Sequence, residues 1–179
     1  NLNPATGQRS KLATYRVCDN YTRFYLKYVE PHEDEIRAGH FAFSSLADLP
    51  GWRTIVGLQF ENMVANNVDA LLPLLNLDGQ RILAAAPYVL RKAGSADQGL
   101  QVDLLIQTKG SATLVEVKHR AKIAPDVVSE LERKIRLFPK RRTVSLRTAL
   151  VYEGELAASV RSGGAFDRLI PFGELLKRD

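Results

Sequence analysis

The chain is 179 residues long, 45% of them hydrophobic, and carries a formal net charge of +5. This length supports one substantial hydrophobic core, and no apolar run approaches the roughly 20 residues of a membrane span. A single cysteine excludes an internal disulfide, and three scattered histidines exclude a zinc-type cluster. With no signal peptide pattern at its start, we expect a cytoplasmic protein without membrane contact.

The first 51 residues predict short elements rather than a core of their own. Asp19 is a suitable N-cap, Pro31 is expected to stop the helix that follows, and Gly39 to stop the next one. In chain order the predicted elements are a strand over 11–17, a helix over 20–30, a second helix over 33–38 and a linker over 40–51.

The helix over 20–30 carries aromatic side chains at helical spacing. They are Tyr21, Phe24, Tyr25 and Tyr28. Interleaved with Arg23 and Lys27, they are suited to stacking on nucleic-acid bases. Packing against another part of the protein explains the same spacing, and we favour packing.

A longer amphipathic helix is predicted over 53–75, and Glu61 falls on its apolar stripe. The apolar members of the stripe are Leu58, Val64, Ala65, Val68, Leu71, Leu72 and Leu75. An acid on an inward face is costly unless it is paired or functional. Either Glu61 lies at the rim of the core and reaches water, or it contributes to a site.

A first strand is predicted over 81–90, after a turn at Asp78 and Gly79. Pro87 lacks a backbone N–H and therefore indicates a sheet edge or a bulge. A polar loop over 93–99 follows the strand.

Residues 102–120 predict a β-hairpin with its turn at Lys109 and Gly110, where glycine tolerates the positive φ of such turns. This register places Asp103 directly opposite Glu116. Two facing carboxylates repel each other, so we expect a cation between them. Glu116 and Lys118 lie on the same strand face, because alternate side chains share a face.

Hard divalent cations such as Mg²⁺ or Mn²⁺ take oxygen ligands, typically one or two carboxylates with waters and substrate phosphates. Asp103 and Glu116 are the candidate ligands, and the backbone carbonyl of Val117 is a candidate third. Lys118 could orient a water or offset developing charge. The alternative is an ion-pair network without metal, although buried pairs of that kind contribute little net stability.

The rest of the chain completes a pattern of alternating helices and strands. A helix over 125–138 turns five apolar residues inward, namely Val127, Val128, Leu131, Ile135 and Phe138. The remaining elements are a strand over 147–152, a helix over 155–161, a strand over 169–172 and a helical turn over 173–177. This order predicts an α/β fold with a mixed sheet flanked by helices.

Between Lys118 and Arg147 lie ten Lys and Arg residues and three acids, a local charge of +7. Such a block suits a polyphosphate partner, although a solvated helix face and loop explain it equally well. The candidate nucleic-acid contacts are Lys118, Arg120, Lys122, Arg133, Lys134, Arg136, Lys140, Arg141 and Arg142.

Asp103 with Glu116, Val117 and Lys118 resembles the motif of the PD-(D/E)XK nuclease superfamily, with Val102 in place of the proline. The predicted element order over 52–179 is also similar to the core of that fold. The resemblance implies a restriction-endonuclease-like fold and Mg²⁺- or Mn²⁺-dependent hydrolysis of nucleic acid, with DNA expected. In the superfamily a Glu from the preceding helix often joins the metal site, directly or through water, and Glu61 matches it.

Residues 10–31, read as SKLATYRVCDNYTRFYLKYVEP, and GLQFE at 57–61 resemble the C-terminal portion of archaeal-type AAA+ ATPases, a group also found in bacteria. The resemblance implies a remnant of a winged-helix wing hairpin over 1–18, an aromatic-rich helical segment and linker over 19–51, and the nuclease-like domain over 52–179. Because the chain begins at Asn1 and its one methionine is Met63, we expect a fragment.

The implied partners are nucleic acid and the protein's own missing P-loop ATPase and winged-helix domains, with ATP bound in the missing domain alone. Nuclease folds of this kind often form homo-oligomers, and the residues leave the oligomeric state open. The alternative function is a non-catalytic module that binds nucleic acid or protein and regulates the ATPase.

Overall fold

The structure is a computed structural model that describes residues 2–9, 15–43, 45–90 and 99–177. Its centre is a five-stranded sheet whose strands lie side by side in chain order. The strands are β1 Ala84–Leu90, β2 Leu100–Gln107, β3 Ser111–Ile123, β4 Ser145–Leu156 and β5 Arg168–Pro171. β2 is antiparallel to both β1 and β3, and β3, β4 and β5 are parallel to one another. The predicted α/β class with a mixed sheet is confirmed.

The helices precede β1 or connect the later strands. They are α1 Asn20–Phe24, a π-helical segment Tyr25–Val29, a 3₁₀ turn Glu30–His32, α2 Glu33–Arg37, a 3₁₀ turn Leu46–Asp48, α3 Trp52–Asn66, α4 Val68–Leu74, α5 Asp126–Leu137, α6 Ala158–Ser162 and a 3₁₀ turn Phe172–Leu176. None of the described helices is both long and apolar enough to cross a lipid bilayer.

Both faces of the sheet are covered by helices. Val115 and Val117 of β3 pack in one cluster with Phe60 of α3. Leu150 of β4 packs with Leu131 of α5 in another. Because neighbouring residues of a strand point to opposite faces, α3 and α5 lie on opposite sides. The central strand β3 is therefore buried along most of its length, and it carries the candidate site.

The prediction of a single helix over 53–75 is wrong. The chain breaks at Asn67 (φ −116°, ψ 43°), which separates α3 from α4. The Asn67 side chain donates a hydrogen bond to the carbonyl of Met63 (2.7 Å) and so occupies an acceptor at the helix end. Leu58, predicted on the inward stripe, is exposed.

Two other helix predictions need correction. Pro31 does not stop the first helical segment, because proline is accepted in the first turn of a helix, and the 3₁₀ turn Glu30–His32 leads directly into α2. The helix predicted over 155–161 is shorter, since β4 runs on to Leu156. Ile135 of α5, predicted inward, is exposed.

Strand β1 lies at the edge of the sheet and carries a register shift between Ala86 and Tyr88. The prediction that Pro87 marks an edge or a bulge is confirmed on both counts. The strand begins at Ala84 rather than at residue 81. Of the predicted loop over 93–99, residues 93–98 lie outside the described part of the chain.

The hairpin has the predicted register, since Leu104 pairs with Val115 and Gln107 with Ala112. Lys109 and Gly110 form the turn, but the φ of Gly110 is not positive. The Thr108 hydroxyl accepts hydrogen bonds from the N–H groups of Gly110 (3.3 Å) and Ser111 (3.0 Å) instead. A threonine side chain thus closes the turn, and the expected reason for the glycine is wrong.

The N-terminal part packs through its aromatic residues. Tyr28 is buried, contacts Phe24 and Trp52, and donates its hydroxyl hydrogen bond to the carbonyl of Pro50 (2.9 Å). The packing interpretation of this cluster is confirmed for Phe24 and Tyr28. Residues 11–14 of the predicted strand over 11–17 lie outside the described residues, and 15–17 form no strand. The domain boundaries stay predictions.

Candidate active site

Seven charged side chains line one open cleft of about 470 Å³. Four were predicted as catalytic residues, namely Glu61, Asp103, Glu116 and Lys118. The other three, Glu130, Arg133 and Lys134, come from α5. The cleft therefore draws on α3, β2, β3 and α5, and the structure brings the whole predicted catalytic set together.

Asp103 lies where strand pairing changes. The register shift opposite Pro87 leaves two residues of β2, Asp103 and Leu104, facing that one residue of β1. The regular pairing of β2 with β3 starts one residue later, at Leu104. The Asp103 Oδ2 atom accepts a hydrogen bond from the Val117 N–H (2.9 Å). Bulges of this kind re-aim side chains, and here a carboxylate is turned toward β3.

Glu116 is almost fully buried and contacts two lysines. Its Oε1 atom lies 2.7 Å from the Lys118 Nζ, and its Oε2 atom accepts a 2.6 Å hydrogen bond from the Lys134 Nζ. Glu130 lies 3.2 Å from each of the same two lysines. Two glutamates and two lysines thus alternate in a closed ring, which we call the ion-pair ring.

Lys134 is the residue that the sequence prediction placed in the wrong environment. It was assigned to the solvent face of α5 as a nucleic-acid contact, whereas its side chain is 4% exposed. Val127, Leu131 and Lys134 follow the i, i+4, i+7 spacing of one helix face, and the first two are buried. A buried lysine needs an anionic partner, and Glu130 four residues earlier was the available signal.

Burial and neighbouring charge shift the protonation of this cluster. Burial, followed by the charge of Glu116, raises the pKa of Asp103 to about 8. Burial also raises the pKa of Glu61. Burial alone would lower the pKa of Lys118, but Glu116 outweighs it and raises that pKa. Burial alone would raise the pKa of Glu130, but Lys134 and Lys118 lower it.

The shifted pKa of Asp103 predicts a pH-dependent stability. Between pH 3.8 and about 8 the folded protein holds a proton on Asp103 that the unfolded chain releases. Raising the pH through this interval therefore favours unfolding, and the effect levels off above the folded-state pKa. In a chelating buffer, the free energy of unfolding of wild type should fall relative to that of Asp103→Asn as pH rises. If the free energy of unfolding of wild type minus that of Asp103→Asn stays constant or increases as pH rises, the assigned pKa shift is wrong.

The donor set fits a divalent cation held by two carboxylates. Glu116 Oε1 is buried, and its 2.7 Å ion pair with Lys118 does not meet hydrogen-bond geometry. Asp103 lines the same cleft. One or two carboxylates with waters and phosphates are what Mg²⁺ takes. In the described part of the chain no three His, Cys, Asp or Glu side chains are grouped to hold a metal ion. Glu61 thus lines the cleft without completing a three-carboxylate cluster.

The other predicted nucleic-acid contacts lie on the surface around the site. Arg133 lines the cleft and donates a hydrogen bond to the carbonyl of Gly99 (3.3 Å). Arg120 donates a 2.8 Å hydrogen bond to Asp126. The other exposed members are Lys122, Arg136, Lys140, Arg141 and Arg142. For Val117 the structure shows the role of the N–H group, and the carbonyl as a ligand stays a prediction.

Comparison with known proteins finds a similar fold. No family model matches the chain, and no curated protein matches it. Among solved structures, the crystal structure of protein VC1899 from Vibrio cholerae is similar, with a TM-score of 0.51 and 18% identity over 80% of this chain. The match spans 38% of the length of that protein. At this identity the similarity concerns the fold alone.

Proposed function

We propose that the protein is a metal-dependent nuclease of the PD-(D/E)XK type, with DNA as the expected substrate. The observation that carries this proposal is the meeting of Asp103 and Glu116 with Lys118 in one open cleft, where β2 parts from β3. An acid pair with an adjacent lysine is an arrangement suited to phosphoryl transfer, because charge stabilisation supplies most of the catalysis there.

Each residue then has a defined role. Asp103 and Glu116 hold Mg²⁺ or Mn²⁺, which when bound polarises a phosphate oxygen and lowers the pKa of a water. Lys118, whose Nζ lies 2.7 Å from Glu116, orients the attacking water and offsets the charge that develops on the phosphate. Glu61 supports the site from α3, through water rather than as a direct ligand. Arg133 at the cleft and the exposed cations near it contact the phosphate backbone.

The assignment to the C-terminal region of an archaeal-type AAA+ ATPase rests on the sequence signature over 10–31 and stays a prediction. In that setting the nuclease-like domain would act beside a P-loop ATPase domain and a winged helix on the same protein. Nucleic acid and those domains are the proposed partners.

One observation favours the second candidate function, a non-catalytic module that binds nucleic acid or protein. The ion-pair ring neutralises Glu116 with two lysines and needs no metal to do so. Such a module would bind nucleic acid with equal affinity in chelator and in Mg²⁺. It would also gain no thermal stability from a divalent cation, whereas a metal site is stabilised by its ion through linkage.

The deciding experiment is cleavage of plasmid, single-stranded DNA and RNA in Mg²⁺, in Mn²⁺ and in chelator. Wild type should cut in the presence of metal alone, and Lys118→Ala should cut about a hundredfold more slowly. Lys109→Ala, at the hairpin turn, is the control and should cut as wild type does. If wild type cuts none of the substrates, or Lys118→Ala cuts as fast as wild type, the non-catalytic function takes precedence.

A further inference from the structure

A second cleft is lined by the same helix and strand, α3 and β3, that contribute to the candidate active site, and it has no role in the mechanism above. It has a volume of about 570 Å³ and lies between the start of α3 and the far end of β3. Its main lining residues are Trp52, Arg53 and Thr54 from α3 and His119, Arg120 and Ala121 from β3. We call it the Trp52 cleft. None of its lining residues is acidic.

A bulge in β3 forms one wall of the Trp52 cleft. Between His119 and Lys122 the register with β4 shifts, so that Arg120 and Ala121 together face Gly154. Gly154 has a φ of 122°, and a Cβ at this position would overlap the carbonyl oxygen of Arg120. Only glycine fits here. In a regular strand consecutive side chains would alternate between faces, whereas three consecutive residues line this cleft.

The opposite wall supplies an aromatic surface held in a fixed orientation. Trp52 is partly exposed, and its ring contacts Phe24 edge-on at 6.4 Å and Tyr28 at 6.2 Å between centroids. Arg53 beside it is exposed. The Arg120 pair with Asp126 is also exposed, and surface pairs of this kind are weak enough to exchange for another anion.

An aromatic ring flanked by two arginines matches the two parts of an unpaired nucleotide. The base stacks on the indole, and the phosphates meet the guanidinium groups. In a duplex the faces of the bases are already stacked on each other and are not available to Trp52. The chemistry of the Trp52 cleft therefore favours a single strand over a double helix.

The two clefts are also close enough to share one strand of nucleic acid. Glu116 and His119 are three residues apart on β3, which is roughly 10 Å at the rise of a strand. Trp52 and Glu61 are nine residues apart on α3, roughly 14 Å along a helix. The Trp52 cleft and the carboxylate pair thus lie at different points along the same two elements, at a distance that one strand of nucleic acid can span.

We propose that the Trp52 cleft binds an unpaired nucleotide of the strand that enters the carboxylate site. The substrate is then a nucleic acid with a single-stranded segment. The identity of the ligand rests on the proposed nuclease function, while the binding itself requires no metal and no cleavage.

The test uses the fact that Trp52 is the one tryptophan of the chain. Adding a single-stranded oligonucleotide in chelator should quench the indole emission in a saturable manner, and a duplex of the same sequence should not. Quenching by the duplex at the same concentration would overturn the proposal. So would equal quenching by a mononucleotide, which would identify a site for free nucleotide. If anisotropy shows that the oligonucleotide binds while the indole emission does not change, the strand binds at another site and the proposal is wrong.

Variants separate this site from a general basic surface. Trp52→Leu should weaken single-strand binding, measured by anisotropy of a labelled oligonucleotide, about 5- to 150-fold. Because Trp52 also packs on Phe24, Arg53→Glu is the second variant, and roughly tenfold weaker binding is expected. Arg161→Glu, an exposed cation on α6, is the matched control and should bind as wild type does. Equal loss in Arg53→Glu and Arg161→Glu would overturn the proposal.

Failure of this inference differs from failure of the proposed function. A protein that cuts with Mn²⁺ but shows no quenching keeps the nuclease function and loses the nucleotide site. A protein whose emission is quenched by the single strand but which cuts nothing keeps the site, and the catalytic assignment is then wrong.

Discussion

Replacing Glu116 by glutamine should lower the rate of metal-dependent cleavage by about a thousandfold or more. The amide keeps the size of the side chain but removes the negative charge that would hold the cation opposite Asp103. It also removes the anion that Lys118 and Lys134 share at 2.7 and 2.6 Å. The result is a loss of both the proposed metal ligand and the fixed position of Lys118. The measurement is a single-turnover rate in Mn²⁺ with wild type and Glu116→Gln side by side.

Glu132→Gln provides the matched control, because it makes the same chemical change on the exposed side of α5. Its cleavage rate should equal that of wild type. Circular dichroism and a thermal melt of Glu116→Gln must show a folded protein, so that the loss of rate is not a loss of structure. If a folded Glu116→Gln variant cleaves at a rate within tenfold of wild type, Glu116 is not a metal ligand in the reaction. The proposed metal site that it shares with Asp103 is then wrong.

The site's central pair was predictable because strands obey a strict two-residue period. Once the turn at Lys109 and Gly110 was identified, the register of the hairpin over Leu104 to Gln107 followed. Asp103 lies one residue beyond this regular pairing, and it lines the same cleft as Glu116. The edge position of Pro87 was also predictable, because a residue without a backbone N–H is accommodated in a sheet mainly at an edge or a bulge. Local rules were sufficient for both features.

The nature of the cation beside Glu116 was not predictable by these rules. The repulsion between two carboxylates indicated a positive charge, but Lys134 is eighteen residues further along the chain, on a separate helix. Its approach depends on how α5 packs over β3. The break at Asn67 is similar, because an uninterrupted apolar stripe continues through it and the tertiary packing of α3 and α4 decides where the helix stops.

The Trp52 cleft could not be predicted from the sequence, for a different reason. The strand prediction ended its pattern near Arg120, and a bulge adds a residue without any change in composition. Gly154 is the residue that permits it, yet the strand predicted over 147–152 ended before it. Phe24 and Tyr28 of the aromatic cluster were correctly assigned to packing, and their contacts hold Trp52 at the wall of the cleft.

Lys134→Met should destabilise the metal-free protein by about 3–5 kcal/mol, because it leaves one partner of a buried ion pair in place without the other. Methionine retains most of the length and volume of the side chain, so the loss reports charge rather than a cavity. Glu116 would then keep Lys118 as its one cationic partner among the described residues. The measurement is urea denaturation in chelator, compared with Lys109→Met at the hairpin turn, where almost no change is expected.

Adding Mn²⁺ should then separate the two functions proposed for this cleft. If the carboxylate pair is a metal site, the cation replaces the lost lysine, binds Lys134→Met more tightly than wild type and restores much of its stability by linkage. Wild type should gain less, because Lys134 competes with the cation for the Glu116 carboxylate, whose Oε2 atom it contacts at 2.6 Å. Equal stabilisation of the two proteins, or none, would mean that the metal does not bind at Glu116. The ion-pair ring would then be a purely structural feature, as the non-catalytic function requires.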